Sequence, residues 1–253
     1  MTAALQCPLP GGSALVTGGR SGIGRSIVEV LVGAGVPVIS MDVSPVDVVA
    51  STRGVREVVG DVTDEHSVRS GIADAGAEEN VAYLVNCAGI HLQTSLVDTS
   101  PDEWSRMLSI NLVGPAIVAQ ACLPLLAKSG CGSIVNITSL EATRIVALVH
   151  PEPVGHYAAS KAALEMLTRT MARDYARFGV RVNAVAPGFI FTPMAAHNHG
   201  GATELPAAVQ PRVPMGRYAD PAEVGRVVAF LLSDAASYIT GASVLVDGGY
   251  CTT

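Results

Sequence analysis

Charge and aromatic rings are scarce in this sequence. Only 15% of its 253 residues are Asp, Glu, Lys or Arg, and 4% are Phe, Trp or Tyr, whereas 49% are hydrophobic. So little charge excludes a self-repelling, unfolded chain and leaves ample apolar material for a large core. With few aromatics, Val, Ala, Leu and Ile must fill that core, a composition suited to parallel strands buried beneath helices. Runs of basic residues are absent and the formal net charge is −6, which speaks against nucleic-acid binding. The five cysteines (Cys7, Cys87, Cys122, Cys131, Cys251) are odd in number, scattered, and form no CxxC pair. That pattern disfavours a disulfide framework or a zinc site and fits reduced thiols in a cytosol. Met1–Pro10 has neither the basic nor the apolar region of a leader, and no run approaches the ~18 consecutive apolar residues that span a bilayer. The expectation is a cytoplasmic protein with no membrane association.

What is present is alternation. Short apolar runs at Ala14–Thr17, Val36–Met41, Val55–Val59, Ala82–Asn86, Ser133–Thr138, Arg181–Val185 and Ser243–Val246 read as strands. Between them, Gly22–Val32, Asp64–Ala77, Pro101–Leu126, Val154–Phe178 and Pro221–Leu232 read as helices. Seven strands with helical crossovers predict an α/β fold, one Rossmann-type doubly wound domain over residues 1–253 with a parallel sheet flanked by helices. Two long connections, residues 140–156 and 189–219, follow predicted strand ends, where open α/β sheets bind ligands.

The first predicted strand runs into Thr17-Gly-Gly-Arg-Ser-Gly-Ile-Gly24 and then directly into a helix. Gly18, Gly22 and Gly24 permit a tight turn whose backbone N–H groups, with those of Ser21 and Ile23, can cradle a pyrophosphate at a helix N-terminus. The spacing is GxxxGxG rather than the more usual GxGxxG. Asp42, 18 residues beyond Gly24 at the end of the second predicted strand, can accept hydrogen bonds from the adenosine ribose and repel a 2′-phosphate. It can equally be a turn or capping residue. Arg20 points the other way, since a guanidinium can hold a 2′-phosphate. The balance of these features favours NAD over NADP.

These motifs, with Asp61-Val62, Asn86-Cys-Ala-Gly89, Asn111, Ser139, Tyr157-Ala-Ala-Ser-Lys161, Pro187-Gly188 with Thr192, and Thr240 to Gly249, resemble the short-chain dehydrogenase/reductase family over essentially the whole chain. The resemblance implies hydride transfer between NAD(H) and a secondary alcohol or ketone. Tyr157 would be the acid/base. Lys161 lies one helical turn on and on the same face, where its charge would lower the phenol pKa; by resemblance it also holds the nicotinamide ribose. Ser139 would orient the substrate oxygen, and Asn111 would hold a water linking Lys161 to solvent. Asp61 and Val62 would meet the adenine, and Asn86, Ala88 and Gly89 would line its ribose. Pro187, Gly188, Ile190 and Thr192 would face the nicotinamide. The same resemblance implies a homotetramer, or a dimer.

The chain departs from the family pattern between Ser139 and Tyr157, whose spacing of 18 residues exceeds the usual one by several. If the excess covers the site, Glu141, Arg144, His150, Glu152 and His156 become candidate substrate contacts; otherwise it is a solvent-exposed loop. Met194, His197 and His199 lie in the second loop. The His pair at i, i+2 with no third ligand nearby reads better as part of a substrate lid than as a metal site, so no metal is expected. The expected substrate is a small cyclic, polyol-like or steroid-like alcohol or ketone. The alternatives are an NADPH-dependent reductase of 3-oxoacyl thioesters carried on acyl carrier protein or CoA, and a catalytically silent nucleotide-binding scaffold.

Overall fold

A computed structural model describes residue 9 and residues 11–44, 54–76, 81–146, 154–192 and 204–252. His150, Glu152, Met194, His197 and His199 therefore lie outside the described residues. Seven strands, β1 (Ser13–Thr17), β2 (Val38–Asp42), β3 (Val55–Val59), β4 (Val81–Asn86), β5 (Ser133–Ile137), β6 (Arg181–Pro187) and β7 (Ser243–Val246), form one sheet. Every pairing is parallel, in the order β3-β2-β1-β4-β5-β6-β7. The order reverses between β1 and β4, which opens a crevice at their carboxyl ends.

Alternation along β1 sends its side chains to both sheet faces. Leu15 joins one core with Met41, Leu84, Val118, Cys122 and Met171. Ala14 and Val16 join the other with Ile27, Leu31, Val224, Val228 and Leu231. Helices α2 (Glu65–Asp74), α4 (Gly114–Lys128) and α5 (Gly155–Tyr175) supply the first face. Helices α1 (Gly22–Gly33) and α6 (Pro221–Leu232) supply the second.

Helix starts follow local chemistry. At α3 (Pro101–Leu108) the Ser100 hydroxyl accepts the Glu103 N–H while Glu103 accepts the Ser100 N–H, a capping box with proline at the first position. Asp220 and Glu223 repeat the arrangement at α6. Boundaries move from the sequence expectation where backbone bonding decides. Val36 belongs to the turn that ends α1, its N–H bonded to Leu31, so β2 starts at Val38 and takes in Asp42. Asp64 caps α2 instead of lying within it.

The predicted helix Pro101–Leu126 is one continuous rod of α3, a π-helical turn at Ser109–Val113, and α4. By length and composition Pro101–Lys128 could cross a membrane; here its buried side chains form part of the first core, as in any folded domain. At the far end of β6, the Arg181 guanidinium donates to the carbonyls of Leu231, Leu232 and Ser233, closing the C-terminus of α6.

Candidate active site

The crevice between β1 and β4 deepens into a cavity of about 680 Å³. Its floor is the turn after β1. Gly18 has a φ of +67°, where a Cβ would lie 2.9 Å from the Ala88 nitrogen. A Cβ on Gly24 would come within 2.1 Å of the Gly18 carbonyl oxygen, so glycine is required for α1 to start against its own turn. Thr17 ties this floor to β4: its hydroxyl accepts the N–H groups of Cys87 and Ala88, both at 3.1 Å. Gly18, Ser21, Gly22, Ile23 and Gly24 all line the cavity.

Asp42 lines the cavity at the end of β2. Its carboxylate accepts the backbone N–H of Ser44 at 3.1 Å and lies 3.4 Å from that of Arg20. The Arg20 side chain does not line the cavity. Its Nε donates to Glu57 on β3 at 3.0 Å, and the guanidinium is largely enclosed. Asp61 lines the wall with Val62 and is held by accepting both the N–H and the hydroxyl of Thr63.

Ala88 and Gly89 line the cavity but Asn86 does not. Its amide is buried in an interior chain: Asn86 donates to Asn136 at 2.8 Å and to the Pro115 carbonyl, and Asn136 donates to Thr168 at 2.9 Å. Asn86 therefore joins β4 to β5 and the helix layer; the expected ribose contact is corrected to an internal tie. The register that sets Asn86 beside Asn136 explains the difference.

Ser139, Tyr157 and Lys161 converge on the inner cavity wall. Lys161 is 5% exposed, and its Nζ donates to the Ile137 carbonyl at 2.9 Å while lying 5.8 Å from the Tyr157 ring centre. Burial depresses its ammonium to about 8. The Tyr157 phenol is pushed above its ordinary value, first by burial and then by the Glu141 carboxylate, against a hydrogen bond with Ser139 that lowers it. In the protein alone Tyr157 is thus a neutral phenol at pH 7, suited to proton donation. Lys161 does not by itself bring that pKa down.

Asn111 is fully buried on the π turn. Its side-chain oxygen accepts the Ile90 N–H and its amide donates to the Ile90 carbonyl, both at 2.9 Å, with Ser160 a further acceptor at 3.2 Å. Its amide group is therefore committed to fixing the chain after β4.

Pro187, Gly188, Ile190 and Thr192 line the opposite wall after β6. Of the described candidates for substrate contact, only Glu141 lines the cavity. Arg144 is exposed and donates to the Cys251 carbonyl at 2.9 Å. His156 is fully buried, edge-on to Trp104 with ring centres 5.9 Å apart. The helical phase explains that correction: with Tyr157 turned to the cavity, the preceding residue points roughly 100° away, toward α3.

The sequence reading missed His91, whose ring meets Tyr157 inside the cavity. Its only signal is its place two residues past Gly89. Also missed was the apolar cluster of Leu140, Val209, Val213, Tyr218 and Tyr250, of which Leu140 and Tyr218 line the cavity. The four described cysteines are free thiols; burial pushes that of Cys87, in the cavity wall, up to about 12, which disfavours its thiolate.

The cradle, the carboxylate beside it and the Tyr157–Lys161 pair fit a nicotinamide dinucleotide. A family profile described as enoyl-(acyl carrier protein) reductase matches residues 18–251. A human (3R)-3-hydroxyacyl-CoA dehydrogenase is 37% identical over 98% of this chain and 99% of its own. Galactitol 2-dehydrogenase (L-tagatose-forming) from Cereibacter sphaeroides is 36% identical over 96% of each. The crystal structure of gox2181 superposes with a TM-score of 0.87 at 34% identity, covering 98% of both chains. The chain thus belongs to the short-chain dehydrogenase/reductase family and is an oxidoreductase acting on an alcohol or ketone.

Proposed function

We propose that the protein is an NAD(H)-dependent dehydrogenase of a secondary alcohol, or reductase of the matching ketone, acting on a small cyclic or polyol-like substrate. One observation carries the choice of cofactor: Asp42 lines the cavity at the end of β2 while the nearby Arg20 guanidinium is bound to Glu57. A carboxylate accepts from two ribose hydroxyls and repels a 2′-phosphate, and the Arg20 side chain is turned through its Nε to Glu57 and away from the cavity. Calorimetric titration with NADH and NADPH tests this. NADH binding at least tenfold tighter is expected; equal or reversed affinity overturns it.

In this reading the Ser139 hydroxyl holds the substrate oxygen and the Tyr157 phenol exchanges a proton with it. Lys161, already poised near neutrality, sets the charge beneath the phenol ring. A bound nicotinamide supplies the hydride acceptor for oxidation and the donor for reduction. Asn111 acts on the wall, by fixing Ile90 and hence the neighbouring His91.

The similarity to the human (3R)-3-hydroxyacyl-CoA dehydrogenase supports a second reading, oxidation of a hydroxyacyl thioester. Assay of a 3-hydroxyacyl-CoA beside a cyclic diol separates the two. A homotetramer is proposed as well, since Val113, Met166 and Phe178 leave apolar side chains exposed along the long helices; light scattering at the monomer mass would refute it.

A further inference from the structure

Glu141 is the one acidic side chain in the substrate half of the cavity among the described residues, and nothing in the chemistry above uses it. It stands two residues beyond Ser139, on the short helical turn Leu140–Ala142 that leaves β5. Its backbone N–H donates to the Ser139 hydroxyl at 3.1 Å, so the main chain that carries this carboxylate is tied to the serine. The carboxylate is close enough to Tyr157 to raise the phenol pKa. Among the described residues it has no hydrogen-bond partner and no ion pair. Burial alone pushes it up to about 7. A carboxylate enclosed without a donor is costly, and the cost is relieved by whatever donor enters the cavity.

We propose that Glu141 selects the substrate: its carboxylate accepts a hydrogen bond from a second hydroxyl on the carbon next to the one oxidised, so that vicinal diols are preferred and substrates with a carboxylate there are refused. The inference rests on the dehydrogenase reading above and names its substrate class. Ser139 and Tyr157 mark where the reacting hydroxyl sits. The Glu141 backbone is tied to Ser139 and its carboxylate lies in the cavity near Tyr157, which places it beside the adjoining carbon. A mono-alcohol leaves the carboxyl group unmet, and above about pH 7, where Glu141 is ionised, a carboxylate substrate places two like charges together. The oxidised carbon loses a hydride to the nicotinamide and its hydroxyl proton to Tyr157 in its phenolate form, the phenol's own proton having first passed to water, while the second hydroxyl stays intact. The product is an α-hydroxy ketone. The name of the galactitol 2-dehydrogenase relative describes oxidation of a polyol of this kind.

The test compares cyclohexane-1,2-diol with cyclohexanol as substrates of the wild type, Glu141→Gln and Glu141→Leu, with NAD in excess. A hydrogen bond to a charged acceptor is worth roughly a factor of 10 to 100 in such discrimination. The wild type should therefore favour the diol more than tenfold in kcat/KM. Glu141→Gln, which keeps a neutral acceptor oxygen, should retain part of that preference, and Glu141→Leu should bring the ratio near one. A ratio unchanged in Glu141→Leu, or near one in the wild type, overturns the proposal. Binding of the same two compounds, followed by ligand-observed NMR without turnover, separates the two readings. If nothing is oxidised but the diol binds selectively and loses that selectivity in Glu141→Leu, the dehydrogenase reading falls and the selection by Glu141 stands. If neither compound binds selectively, the proposal is overturned.

Discussion

The imidazole of His91 meets the phenol of Tyr157 edge-on, with ring centres 4.5 Å apart and planes inclined at 65°. Such a contact limits how far the phenol can swing and is worth about 1 kcal/mol. Replacing His91 with Ala should lower kcat/KM three- to tenfold with little change in thermal stability, and His91→Phe should restore most of it. Equal losses in both variants would show that the imidazole acts through its nitrogens and not through its ring.

Lys161 is held with its ammonium depressed from 10.5 to about 8 by burial. Between those values the unfolded chain binds a proton that the folded one has released, so this group makes stability rise with pH across that window. Below about pH 8 the full penalty applies. Lys161→Met should accordingly stabilise the protein without cofactor at pH 7 by up to about 3 kcal/mol, with the gain fading toward pH 10.5. Urea unfolding of both proteins at pH 7 and pH 10 measures it. A constant difference would mean that the lysine is not desolvated.

Glu141 has the opposite sign. Burial raises its carboxyl from 4.5 to about 7, so the folded chain holds a proton that the unfolded one has lost. Its contribution is complete below pH 4.5 and disappears as pH rises through 7. Glu141→Gln should then match the wild type near pH 4.5 and exceed it by up to about 3 kcal/mol at pH 8. Thermal melts across that range give the comparison, and parallel curves would contradict the desolvation.

Gly24→Ala forces a methyl to 2.1 Å from the Gly18 carbonyl oxygen. Backbone on both sides of the turn has to separate, and overpacking of this kind costs about 1–3 kcal/mol. The expected result is at least a tenfold weaker NADH titration together with a lower melting temperature. Unaltered NADH binding would mean that the turn is not the phosphate cradle.

Much of this was legible because the relevant patterns are local. Tyr157 and Lys161 share a face through helical spacing alone, and the apolar runs of β4, β5 and β6 could only be buried strands. Gly18 and Gly24 announce a turn that no side chain would tolerate. What stayed hidden depends on register and on chain segments without a period. The pairing of Ser40 with Glu57 in the sheet brings Glu57 within reach of Arg20, and Asn86 with Asn136 makes an interior link out of an expected ligand. His91 sits in a stretch with neither helical nor strand period, so nothing local gives away its meeting with Tyr157. His156 was decidable in principle, since adjacent helical residues do not share a face.

The π turn at Ser109–Val113 accommodates more residues per turn than the α-helix on either side of it. Each residue inserted into or removed from a helix rotates everything beyond it by about 100°. Met107 before the turn, Asn111 within it, and Val118, Cys122 and Leu126 beyond it are all buried. A one-residue insertion between the turn and Val118 would therefore act as an angular frameshift. It would leave the rod intact as a helix while swinging either the Ile90 anchor or the sheet-facing stripe out toward water.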